Sequence, residues 1–319
     1  MRAAVVNSYS APPRFGSFAE PVAGDGEALV MVSAAGLHPL VRALASGSHY
    51  GSSGALPFVA GVDGVGRLPD GKRTFFMLPR SPFGSFAERT VAASSTCLPL
   101  PDGLDDATAA GTANPGMSSW VALKARAHLV AGESVLILGA TGSAGQLAIQ
   151  IAKRLGARRV IAAGRDVQEP RLKELGADTV ISMNQDRAEL VASYRRQWAE
   201  SGVDVVLDYL WGKPAETLLE AIAQKGLQQS ASRIRYVQIG SIAGDPISLS
   251  GATLRSSKLE ILGSGFGSAS MQEMLQGIAE FLEESAREPF QANIELAPLC
   301  DVEALWVRPD QGTRLVFQP

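Results

Sequence analysis

The 319-residue sequence predicts an α/β fold: a doubly wound parallel sheet of six strands, with a β-rich domain before it and a short return after it. Three observations predict it. Val135-Leu136-Ile137-Leu138 is a short apolar run that stops at Gly139, as a strand buried on both faces of a parallel sheet should. Next, Ala144, Leu147, Ala148, Ile151, Ala152 and Leu155 recur at three- and four-residue steps, the apolar stripe of a helix lying on that sheet. Finally, Val160 to Ala163 supply a second apolar strand after Gly156, so the unit closes with a right-handed crossover and then repeats down the chain.

Length and composition set the bounds. A chain of 319 residues exceeds what one hydrophobic core ordinarily serves, so two domains are expected. With 46% apolar residues, 19% charged residues and a net charge of −3, nothing marks a surface for nucleic acid. The start, MRAAVVNSYS, reads as a strand rather than a signal peptide, and no window approaches a membrane span, so no membrane partner is expected. The two cysteines, Cys97 and Cys300, are too few for a disulfide framework or a four-cysteine zinc lobe. A cytoplasmic enzyme is the expectation.

In order along the chain, Arg2 to Val6, Ala28 to Ser33, Arg73 to Met77 and Phe86 to Val91 read as strands separated by turn clusters such as Gly24-Asp25-Gly26 and Pro69-Asp70-Gly71. Pro101-Asp102-Gly103 closes this β-rich stretch. Asp105 to Ala110 and Ser118 to Leu129 have helical composition and lead into the central strand. Beyond Arg165 the alternation continues: helix from Pro170 to Leu175, strand from Thr179 to Ile181, helix from Arg187 to Trp198, strand from Val203 to Leu207, helix from Pro214 to Ile222. Ile234 to Ile239 and Leu259 to Leu262 bring the strands to six. The tail from Phe266 carries a helix, Gln272 to Glu284, and a strand, Thr313 to Phe317. Residues 116–265 are thus expected as the doubly wound domain, and 1–115 with 266–319 as the other.

The turn after the central strand, Gly139-Ala140-Thr141-Gly142-Ser143-Ala144-Gly145, has an A-x-G-x-x-G register, a dinucleotide fingerprint with its first glycine replaced. Small residues are needed there so that the chain can turn tightly, a pyrophosphate can approach the backbone, and N–H groups at a helix N-terminus can meet it. A turn that merely packs helix against strand is the alternative. At the end of the next strand, Asp or Glu would select NAD through the ribose 2′-hydroxyl, whereas Arg accommodates the 2′-phosphate of NADP. Gly164 and Arg165 stand there, so NADPH is favoured; Asp166, which can pair with Arg165 or serve a 2′-hydroxyl, argues the other way.

The order of parts resembles the medium-chain dehydrogenase/reductase superfamily, and within it the zinc-independent quinone oxidoreductase branch. The resemblance is carried by Ala34-Ala35-Gly36-Leu37-His38-Pro39, the run from Pro57 to Gly66, Gly84 to Glu88, the Gly139–Gly145 turn, Leu175 to Ile181, Asp204 to Asp208, and Gly312 to Val316. It implies a GroES-like catalytic domain, a Rossmann domain and a homodimer joined through the last Rossmann strands. The zinc-using members have a cysteine and a G-H-E motif where this chain has His38-Pro39 and Gly61-Val62-Asp63, so no metal site is expected. The branch's asparagine stands at His38, and its lysine and tyrosine beside the 2′-phosphate correspond to Gln168 and Met183, which leaves Arg165 to carry the phosphate. The expected cofactor set is Ser118, Gly139, Ala140, Thr141, Gly142, Ser143, Ala144, Gly145, Gly164, Arg165, Gly240 and Ser241.

Without a metal, the protein must itself polarise a carbonyl and deliver a proton. His38 and Tyr50 are the candidates, because both can donate a hydrogen bond and both fall where the family lines its cleft. A packing histidine beside Pro39 and a rim aromatic in the glycine- and serine-rich loop Gly51-Ser52-Ser53-Gly54 are the respective alternatives. Asn114 and Ser118 resemble the family's segment near the nicotinamide, with helix capping as the other reading. Two functions follow: NADPH-dependent reduction of a quinone or α,β-unsaturated carbonyl, or NADPH binding without turnover in a redox sensor or structural protein.

Overall fold

The computed structural model describes residues 1–52, 55–223 and 233–319, and the chain folds as two units, Met1–Asn114 with Ile278–Pro319 and Pro115–Gly277. Ser53 and Gly54 of the expected loop lie outside the described residues.

The first unit begins with β1 (Arg2–Val6), which pairs antiparallel with β2 (Arg14–Ser17). Beyond the long β3 (Glu27–Gly36) and the short helix α1 (Pro39–Ala45) comes β4 (Phe58–Val59), which completes a three-stranded sheet β2-β1-β4. β5 (Asp63–Arg67), β6 (Arg73–Met77), β7 (Arg89–Ala93) and β8 (Cys97–Pro99) follow, all in antiparallel pairings around β3. β5 carries no strand signal in its sequence, Asp-Gly-Val-Gly-Arg. Its glycines answer to packing instead: a Cβ on Gly66 would stand 2.3 Å from the Met31 carbonyl oxygen of the neighbouring strand.

Helix α2 (Asp106–Val121) runs unbroken through Pro115, where two helical segments were expected, and the division between the units falls inside it. A proline in a helix leaves the preceding turn short of one N–H donor. The carbonyl of Pro115 itself accepts from Ser118 Oγ at 2.8 Å and Ser119 Oγ at 3.2 Å.

The second unit is built on β9 (Ser134–Leu138), α3 (Ser143–Arg154), β10 (Arg159–Gly164), α4 (Glu169–Glu174), β11 (Thr179–Ser182), α5 (Arg187–Ser201), β12 (Val205–Asp208), α6 (Gly212–Ile222), β13 (Arg233–Gln238), α7 (Gly251–Ser256) and β14 (Lys258–Gly263). Its six strands are all parallel, in the order β11-β10-β9-β12-β13-β14. That is the doubly wound arrangement the sequence predicts, and the strand order reverses between β9 and β12. β9 is buried throughout, and Leu136, Leu138, Ile161, Val206, Leu218 and Tyr236 lie in one core cluster.

Helix α8 (Met271–Arg287) carries the chain back across the division. In the first unit β15 (Asn293–Pro298) pairs parallel with β16 (Thr313–Gln318), and between them α9 (Val302–Leu305) forms one short turn of helix. β16 joins β3, giving a sheet of order β15-β16-β3-β5-β6-β8, with β7 paired to β3 on the edge opposite β5. Phe86 sits edge-on to Phe317 at 5.3 Å in the core of this unit. Among the described residues no helix is long and apolar enough to cross a membrane.

Candidate cofactor site and catalytic residues

In the second unit the Gly139–Gly145 turn joins the C-terminal end of β9 to the N-terminus of α3, at the reversal of strand order where doubly wound sheets bind their ligands. Gly139 adopts φ +96°, which only glycine does at no steric cost. Its N–H and that of Ala140 both donate to the Ala163 carbonyl, at 2.9 and 3.0 Å, which fixes the turn against β10. A Cβ on Gly145 would stand 2.3 Å from the Gly139 carbonyl oxygen, so strand and helix close on each other only over glycine. Gly142 is the N-cap of α3 and offers no side-chain acceptor to the first-turn N–H groups. Thr141, Gly142, Ser143 and Ala144 are half-buried, and Ala140 is buried. This cradle of small residues at a helix N-terminus fits a pyrophosphate.

Gly164 ends β10, with room for nothing larger, since a Cβ would meet Thr141 Cγ2 at 2.8 Å. Arg165 and Asp166 follow it, both exposed. They do not pair with each other: Asp166 adopts φ +47° and accepts from Asn184 Nδ2 at 2.6 Å, and among the described residues Arg165 has no hydrogen bond or ion pair. Met183 packs on the apolar core, while Gln168 is the exposed N-cap of α4.

Gly240 lies just past β13 and donates to the Asp208 carbonyl at 3.1 Å; Ser241 next to it is exposed. Ser118, on α2, is half-buried and its hydroxyl is bonded back to Pro115, which is a helix-internal role.

Sequence reasoning gave no role to Asp208, the last residue of β12. It is fully buried, Oδ1 accepts from the N–H groups of Leu210 (2.7 Å) and Trp211 (2.9 Å), and Oδ2 accepts from the Tyr236 hydroxyl at 2.6 Å. Burial pushes its carboxyl above the ordinary carboxylate range, and these three donors pull it partly back. The available signal was an acid ending an apolar strand. Next to it, burial pushes the Tyr209 hydroxyl up to about 12, and that hydroxyl is 2.7 Å from Ser119 Oγ.

In the first unit His38 is the N-cap of α1, with its ring buried and Nε2 3.0 Å from Asp63 Oδ1. An ionised Asp63 only accepts, so Nε2 carries the hydrogen, and the other ring nitrogen of a neutral His38 is an acceptor. Tyr50 is 76% exposed, and its ring lies tilted by 32° against that of His49 with 4.0 Å between centroids. The structure therefore puts the two candidates in different surroundings, one buried and paired, one on the surface.

The family model described as zinc-binding dehydrogenase matches residues 144–283. The probable NADPH-dependent quinone reductase tdiC of Emericella nidulans is 29% identical, with all of both chains covered. A quinone oxidoreductase of Pongo abelii is 31% identical over 66% of this chain and 66% of its own length. Among solved structures, the quinone oxidoreductase of Thermus thermophilus, also solved in complex with NADPH, superimposes with a TM-score of 0.80 at 27% identity over all of both chains. The chain belongs to the medium-chain dehydrogenase/reductase superfamily, in its quinone-reductase-like branch. Among the described residues the zinc of the family's description finds no set of three donors: no three His, Cys, Asp or Glu side chains gather to hold a metal ion, and His38 and Asp63 are spent on each other.

Proposed function

We propose that this NADPH-dependent oxidoreductase delivers a hydride to a quinone or an α,β-unsaturated carbonyl without a metal ion, in the cytoplasm and as a homodimer. The observation that carries the reading is the cradle from Gly139 to Gly145 at the strand-order reversal, together with an unpaired Arg165 one residue past Gly164. Bound NADPH supplies the hydride. The chain's own part is to hold it: N–H groups of the turn bind the pyrophosphate, and Arg165 forks onto the 2′-phosphate.

His38 and Tyr50 are the candidates for the acceptor carbonyl. In its bonded tautomer His38 donates to that oxygen only when doubly protonated, so Tyr50 is the donor of the neutral enzyme. The dimer reading rests on β14, the last strand of its sheet, whose free edge would otherwise offer unpaired backbone groups to any strand.

The test is steady consumption of NADPH by the purified protein with a panel of quinones and enones. Turnover that survives chelators supports the assignment, and stoichiometric zinc whose removal abolishes activity would overturn its metal-free part. Tight NADPH binding with no turnover on any acceptor would favour a redox sensor instead. Light scattering that finds a monomer at micromolar concentration would remove the dimer.

A further inference from the structure

We propose that Asp208 is a positioning residue for the dinucleotide site: its buried carboxylate holds the loop Tyr209–Trp211 in the one conformation that completes the crevice beside the Gly139 turn. The inference rests on reading that turn as the NADPH site, and the loop's contacts carry it further. Leu210 Cδ2 lies 3.1 Å from where a Cβ of Gly139 would be, and the Tyr209 carbonyl oxygen lies 2.8 Å from the corresponding point on Gly240. The loop, which follows β12, thus lies against the backbone at the ends of both neighbouring strands, β9 and β13. It is also strained. Trp211 sits at φ +55°, which is rare for a bulky side chain, and Gly212 follows at φ +56°.

Strain of this kind persists only where the surroundings over-determine it. Here the determinants are the N–H groups of Leu210 and Trp211, both captured by one carboxylate oxygen, and the Leu210 carbonyl, which accepts from Ala243 N–H at 2.8 Å. The main chain of Asp208 ties in the other flank, because its carbonyl accepts from Ile239 and Gly240 N–H at 2.8 and 3.1 Å. Tyr236 donates to the second carboxylate oxygen from the core side, apart from the bonds that hold the loop.

Dissociation constants for NADPH, read from its fluorescence, and melting temperatures decide the matter on wild type, Asp208→Ala, Asp208→Asn and Tyr236→Phe. Asp208→Ala is expected to weaken NADPH at least tenfold while the far-ultraviolet spectrum stays native. Asp208→Asn, whose amide oxygen accepts the same two N–H groups, should stay within threefold of wild type. Tyr236→Phe, which leaves the loop's own bonds in place, should lower the melting temperature but change the dissociation constant less than threefold. Should Asp208→Ala not fold, Asp208→Ser takes its place, with at least a threefold loss expected. Wild-type affinity in the folded Ala or Ser variant overturns the proposal, as does an equal loss in Tyr236→Phe, which would mean general destabilisation. If the wild type itself does not bind NADPH, it is the cofactor reading that has failed.

Discussion

The Gly139–Gly145 turn and the pair His38 and Tyr50 are built from different materials. The turn is backbone: its shape follows from φ +96° at Gly139 and from the 2.3 Å that a Gly145 side chain would leave to the Gly139 carbonyl oxygen. His38 and Tyr50 offer only side-chain atoms, and those of His38 owe their surroundings to a distant residue. The Asp63 that binds His38 is 25 positions away. A site made of backbone is constrained by sterics within a few residues and cannot drift, whereas a site made of side chains is settled by whichever loops happen to meet there. That contrast can be put to the test on a common scale, the affinity for NADPH.

The largest effect belongs to Gly145. Overpacking against side chains costs about 1–3 kcal/mol, and here the obstacle is backbone that cannot step aside. Gly145→Val is therefore expected to weaken NADPH by at least about 100-fold, roughly 2.7 kcal/mol, or to unfold the second unit outright. A folded variant with wild-type affinity would break the comparison, since the turn would then not be steric in origin.

Arg165 comes next and sharpens the comparison inside the second unit, because it is the one side chain there on which cofactor choice is staked. A hydrogen bond to a charged group is worth roughly 1.5–3 kcal/mol, so Arg165→Ala should cost NADPH about one to two decades and leave NADH nearly untouched. Lysine should restore part of the loss, as a point charge without the fork. The structure has already removed one competitor, the Asp166 partner, which bonds Asn184. Equal losses for both nucleotides would mean that Arg165 recognises a part they share.

The same division explains what was legible in the sequence. β9, β10, β12 and β13 could be read as apolar runs, because a strand buried on both faces needs no partner's help to declare itself, and the edge strands β11 and β14 followed from the alternation around them. β5 could not be read, because Gly64 and Gly66 are there for close approach to β3 and carry no apolar signal. Asp105 to Ala110 and Ser118 to Leu129 read as two helical segments, yet α2 runs from Asp106 to Val121 with Pro115 inside it. The turn's glycines could be located by number, while Asp208 could not, since its three donors come from the loop ahead of it and from β13 beside it. The exposure of Tyr50 and the burial of His38 were equally out of reach, being properties of loops and of a pairing across strands.

The smallest effect on NADPH is expected at Tyr50, and for that reason its substitution is the cleanest probe of chemistry. The ring is 76% exposed, so removing its hydroxyl should change stability by less than about 0.5 kcal/mol and the NADPH dissociation constant by less than about twofold. Proton delivery by a positioned side chain contributes roughly 10²- to 10⁴-fold to rate. If Tyr50 donates to the acceptor oxygen, Tyr50→Phe should therefore lower kcat by about 100-fold or more with KM for NADPH unmoved, a split that loss of folding or of cofactor cannot mimic. His38→Gln serves as its counterpart, since a neutral His38 bonded to Asp63 has no free hydrogen to give and its loss should be felt mainly in stability. An unchanged kcat in Tyr50→Phe across quinones and enones would take the tyrosine out of the chemistry and leave solvent to supply the proton.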